Sequence, residues 1–132
     1  LLVVLLVASI DVGAQKLPED WPREYFARGW TAMRRNDYVQ AMNWFQMAAA
    51  YDFAPAQGSI GWLYRNGQGV TRDYAEAMRW FRKAADKGDA GSEEGIGWLY
   101  RAGQGVPSDY AEAMQWFRMA ADKGSAGGEA HG

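Results

Sequence analysis

The chain has 132 residues, 48% of them hydrophobic, with 14 basic side chains against 16 acidic ones. That is enough apolar material for one packed unit, and the near-neutral balance excludes the basic face that a nucleic-acid binder needs. The sequence has no cysteine and a single histidine, His131, next to its last residue, so disulfides and thiol chemistry are excluded and no metal or cofactor is expected.

In chain order, the first stretch reads LLVVLLVASIDVGAQKLPEDW. Leu1 to Ile10 is an apolar run too short to span a bilayer, which takes about 20 residues. It fits the apolar centre of a secretory signal, and Val12-Gly13-Ala14 supplies small residues ahead of a cut before Gln15. Residues 1–14 therefore read as a truncated signal peptide and 15–21 as a linker, placing the mature protein outside the cytoplasm, secreted or periplasmic, with no stable membrane span. The cut removes Asp11 and leaves 14 basic against 15 acidic residues.

From residue 22 onward the sequence repeats. Asp37-Tyr38, Asp73-Tyr74 and Asp109-Tyr110 are spaced by 36, as are Ala41-Met42, Ala77-Met78 and Ala113-Met114, and Trp44-Phe45, Trp80-Phe81 and Trp116-Phe117. A period of this length marks a solenoid, in which each unit buries its apolar face only against its neighbours. Each unit holds two helical patterns. The first helices are expected at 22–35, 54–66 and 90–102, the second at 38–51, 74–87 and 110–123. Tyr74, Ala77, Met78, Phe81, Ala84 and Ala85 fall on one helix face. Asp73 with Glu76, and Asp109 with Glu112, have the spacing of a capping box. Lys87-Gly88 and Lys123-Gly124 supply the cation and the glycine that end a helix.

The first helices of units two and three run into GWLYRNGQGV (61–70) and GWLYRAGQGV (97–106). Their glycines permit the turn that follows. Unit one lacks this loop, because Gly29 and Asp37 are eight steps apart where Gly61 and Asp73 are twelve. SAGGEAHG at 125–132 matches DAGSEEGI at 89–96 in outline and reads as the start of an incomplete fourth repeat.

Units two (54–88) and three (90–124) resemble Sel-one-like repeats. The resemblance is carried by Ala54, Ile60-Gly61, Leu63-Tyr64, Gly67, Gly69-Val70, Asp73-Tyr74, Ala77, Trp80-Phe81, Ala84-Ala85 and Gly88, and by their counterparts 36 residues on. Unit one (22–51) looks more like a tetratricopeptide repeat. The resemblance implies an all-α, right-handed α-solenoid of antiparallel helix pairs with a concave groove. It also implies a non-catalytic scaffold for protein–protein interaction. Glu94 departs from the pattern, and either the helix starts late there or Glu94 faces a polar groove.

The tryptophans divide into sets. Trp44, Trp80 and Trp116 sit beside the apolar stripe of the second helices and read as packing. Trp30, Trp62 and Trp98 fall differently, since at 100° per residue Trp62 points about 155° from the centre of the Gln57/Ile60/Gly61/Tyr64 face. Two homes are open to them: a ladder along the groove, or a seat against the first helix of the adjacent unit. On the groove reading Arg65 and Arg101 follow one turn later, Met33, Arg34 and Asn66 lie close by, and Phe26, Gly58 and Glu94 occupy the slot one turn earlier. Aromatic rings with arginine make binding hot spots, so the expected partner is a protein or an extended peptide, with a cell-wall glycan as the alternative. A hydrolase is the weakest reading. None of the five serines has a histidine near it in sequence, and Glu93-Glu94 diverge on a helix.

Overall fold

The structure, a computed structural model, describes the backbone of residues 20–131 and the side chains as far as Gly124. The signal-like segment 1–14 lies outside the described residues. Six helices follow one another: α1 Trp21–Arg34, α2 Tyr38–Ala49, α3 Ala54–Asn66, α4 Tyr74–Ala85, α5 Ala90–Ala102 and α6 Tyr110–His131. Among the described residues there is no strand. The helices pair as α1/α2, α3/α4 and α5/α6; each pair packs on the next, and α3 also touches α5.

The second helices start where aspartate caps them. Asp37, Asp73 and Asp109 accept hydrogen bonds from the backbone N–H of Gln40, Glu76 and Glu112 at 3.2, 3.0 and 3.0 Å. The capping boxes are one-sided: the Glu76 side chain pairs with Arg79, and Glu112 accepts from Trp116 Nε1 at 3.1 Å. α3 and α5 end on Gly67 and Gly103, at φ +64° and +65°, the left-handed conformation that glycine adopts without a Cβ clash.

One expected terminus moves. α6 does not stop at Lys123-Gly124 but continues to His131. At the equivalent turn Gly88 takes φ +87°, and Asp89 behind it caps α5 through Ser92 N at 3.0 Å. A Cβ added to Gly124 would meet nothing within 4 Å. Glycine permits a turn, but tertiary contacts have to impose one.

The cores lie between units, as a solenoid requires. Met42, Phe45 and Ala48 of unit one form one buried cluster with Ala56, Ile60 and Leu63 of unit two. Ala77, Met78 and Phe81 of unit two form the next with Ile96 and Leu99 of unit three. Each phenylalanine occupies room left by glycine. A Cβ on Gly61 would stand 2.6 Å from the Phe81 ring, one on Gly95 also 2.6 Å from it, and one on Gly97 2.6 Å from Phe117.

A polar tie recurs with its parts exchanged. Lys87 Nζ sits 2.8 Å from Asp52 Oδ1 and donates to Gln57 Oε1 at 2.8 Å, joining the turn after α4 to the turn before α3 and to the first turns of α3. One period on, Gly88 replaces Asp52, Glu93 replaces Gln57, and Lys123 pairs with the buried Glu93. Asp52 is held at φ +63°, a conformation that costs a residue with a Cβ about 1–2 kcal/mol. In unit three the carboxylate has moved onto the helix, and glycine takes the left-handed position.

Candidate functional site

The three first-helix tryptophans share one geometry. The Trp30 ring lies 6.0 Å from Phe45 at 68°, Trp62 lies 5.1 Å from Phe81 at 70°, and Trp98 lies 5.3 Å from Phe117 at 69°. Each indole therefore stands edge-to-face on the phenylalanine of its own unit, an arrangement worth about 0.5–1.5 kcal/mol beyond the area it covers. This corrects the expectation that the slot points away from the contact within the unit. Glycine at 29, 61 and 97 lets the phenylalanine approach so closely that the next residue's indole reaches its ring. The rings are not swallowed: Trp30 is 42% exposed, and Trp62 and Trp98 are half-buried.

Arginine follows as the spacing requires. The Arg65 guanidinium lies 5.6 Å from the centre of the Trp62 ring, and Arg101 lies 5.3 Å from that of Trp98. Such contacts contribute about 0.5–1 kcal/mol at exposed sites. Arg65 also donates from Nε to Gln104 Oε1 at 3.2 Å, and Gln104 Nε2 lies 3.3 Å from the Tyr74 hydroxyl. The GQG loop of unit three is thereby tied to both helices of unit two.

Of the residues proposed for a groove, Phe26, Trp30, Gly58 and Trp62 line one cavity of about 430 Å³ across α1, α3 and the start of α5. Pro55, Ser59, Asp89 and Gly91 complete it. Gly58 is there because of packing: a Cβ on it would collide with the Asp89–Ser92 cap of α5. Glu94 is exposed and lines an adjoining cavity of about 410 Å³ with Phe117 and Ala120, and Gly91 lines both. The two hollows thus meet the start of α5 at the same residue, and the track is the first of them, across α1, α3 and the start of α5. Arg101 lines a different hollow, with Tyr110 and Met114. Met33 packs against the first core cluster. Arg34 and Asn66 make only local hydrogen bonds, to Thr31 and Gln68. Position 55, with its counterpart Gly91, was the missed signal, since both lie one turn before Ser59 and Gly95.

The second-helix tryptophans pack as read from their position. Trp44 stacks on Tyr25 at 5.9 Å, and Trp80 and Trp116 lie against the first and second core clusters. Among the described residues no cluster of histidine, aspartate and glutamate could hold a metal ion, and no helix is long and apolar enough to cross a membrane.

Stacked helix pairs, inter-unit cores and a track over the first helices define an α-solenoid of helical repeats. The Sel1 repeat family model matches residues 24–50, 54–89 and 92–125, and the chain belongs to the Sel1 repeat family. Unit one, despite its missing loop, is thus matched alongside the other two. Among solved structures the chain is similar to a Sel1 repeat protein from Oxalobacter formigenes, at 33% identity and TM-score 0.71 over 80% of this chain. It is also similar to a protective antigen present in uropathogenic Escherichia coli strains displaying an SLR fold, at 38% identity and TM-score 0.71 over 78% of this chain. The chain spans 46% and 23% of the lengths of these two proteins. No curated protein matches it. Sel1 repeats mediate protein–protein interaction, and no enzyme family is indicated.

Proposed function

We propose that the track across α1, α3 and α5 holds an extended segment of a partner protein, making this chain a non-catalytic scaffold of the secretory or envelope compartment. The observation that carries the reading is the rung geometry. Trp30 and Trp62 are oriented alike on Phe45 and Phe81 and open onto a single cavity of about 430 Å³. Rings pinned from beneath lose little side-chain freedom when a ligand covers them, which favours binding. The compartment rests on the apolar run of residues 1–10 and the small residues before Gln15.

A photo-crosslinking side chain at Pro55, which lines the cavity at the first turn of α3, tests the reading in cells. Gly91→Arg sets a long side chain into the track at an exposed position where a Cβ meets only Asp89, at 3.8 Å, and circular dichroism verifies that the helices persist. Protein adducts that form in the parent and vanish in Gly91→Arg are expected. Trp30→Ala should weaken a captured peptide by about 2 kcal/mol at constant helix content if Trp30 is a hot spot. Adducts insensitive to Gly91→Arg would refute the groove, and retention on purified cell-wall glycan without protein adducts would replace the peptide with a sugar.

A further inference from the structure

From Tyr38 to Tyr51 the sequence carries no charged residue, whereas the matching stretch 74–87 carries six and 110–123 carries four. The difference lies on the outer face of α2. Val39, Gln40, Asn43, Gln46, Met47 and Ala50 are all exposed, and at 100° per residue they fall within about 120° of one another. Val39 is 60% exposed and Met47 44%. On α4, which has a unit on either side, the counterparts of Asn43, Gln46, Met47 and Ala50 are Arg79, Arg82, Lys83 and Asp86, and they are exposed as well. The stacking of repeats therefore does not reach this face, and an uncharged stripe on it needs another cause.

The stripe reads alike in both directions about Asn43. Val39 and Met47 lie four residues to either side of it, and Gln40 and Gln46 lie three. We infer that this face is a homodimer surface, on which α2 of a second copy lies antiparallel across a two-fold axis at Asn43. A two-fold contact needs a patch that complements itself. The axis sets Val39 of one copy against Met47 of the other, Gln40 against Gln46, and Asn43 against Asn43. An amide both donates and accepts, so it can pair with its own copy. The same axis on α4 would set Arg79 on Arg79, a like-charge contact that opposes association. No residue of α2 lines the track, so the dimer leaves it open. One helix pair covers less than a standard interface, so a dissociation constant on the order of 10–100 μM is expected.

Sedimentation equilibrium of the full chain, from about 5 μM to about 1 mM, spans that range. A concentration-dependent dimer is expected, weakened at least about tenfold by Asn43→Arg and likewise by Asn43→Asp. Mixing the two variants in equal amounts should restore it, because arginine then meets aspartate at the axis. Gln115→Arg, at the matching position of α6, should leave the dimer as in the parent. α4 already carries arginine at this position, and circular dichroism verifies that each variant keeps its helices. A chain that stays monomeric throughout, or a dimer indifferent to Asn43→Arg, would overturn the inference. So would equal sensitivity to Gln115→Arg, or a mixture of the two Asn43 variants that stays monomeric.

Discussion

Gly61→Ala puts the packing argument under the most direct strain. Alanine is the better helix former, and in an exposed helix the change is worth about 1 kcal/mol of stabilisation. Here the new Cβ would stand 2.6 Å from both Cδ1 and Cε1 of Phe81, about 1 Å inside the favourable carbon–carbon separation. Phe81 has no room to retreat. It is fully buried, and a Cβ at Gly95 would also lie 2.6 Å from it, at the tip of the ring. Overpacking of a pinned ring costs about 3 kcal/mol, the upper end of the usual range. After the helical gain, the variant should be about 2 kcal/mol less stable than the parent. Gly124→Ala is the matched control, since it lies within α6 with nothing within 4 Å and should stabilise by up to about 1 kcal/mol. Urea melts followed by far-ultraviolet circular dichroism read both. A Gly61→Ala protein as stable as the parent would show that the glycine–phenylalanine contact is not tight and that the rung geometry has play in it.

Two further substitutions probe the local ties. Asp73→Ala removes the side-chain acceptor for Glu76 N–H and should cost about 1 kcal/mol in the same melts, with Asp73→Asn retaining most of it. Asp52→Asn tests the Lys87 tie through pH. Hydrogen bonds from Lys87 and then Gln57 hold the Asp52 carboxyl below the usual carboxylate range. A depressed folded value means stabilisation that is present above the unfolded value and lost as pH falls through the folded one. The deficit of Asp52→Asn against the parent should be present at neutral pH and shrink on acidification from about pH 5 downward. A deficit that is constant across that range would mean that the effect does not come from the charge of Asp52.

The parts of the fold that were legible in the sequence are those set by near neighbours in the chain. The period, the aspartate caps and the glycine ends of α3 and α5 all depend on contacts within a few residues, and the helices fall within two residues of their expected bounds apart from α6. The orientation of the tryptophans was not legible, because the angular argument assumes a helix with one buried face. α3 is buried at Ala56, Gln57, Gly58, Ile60, Gly61 and Leu63, most of its circumference, because α2, α4 and α5 all lie against it. On such a helix the open arc is narrow, and Trp62 stands at its edge, touching Phe81 on one side and the cavity on the other. The bond from Arg65 to Gln104 spans 39 residues and depends on how two units stack, which no spacing within a unit encodes. Glu94 illustrates the same limit, since its counterpart Gly58 is covered by the next unit while Glu94 is not.

On the proposed reading, stability and recognition meet in one residue per unit. The phenylalanine at 45, 81 and 117 is the floor on which the indole of its unit stands. At Phe81 that floor is fixed by glycines from its own unit and the next. Covering a unit's outer face thus does more than bury apolar surface: it removes the freedom of the phenylalanine, and with it the freedom of the tryptophan above. By this reasoning Trp62, over a doubly clamped ring, is more sharply oriented than Trp98, whose Phe117 is clamped by Gly97 and open on the other side.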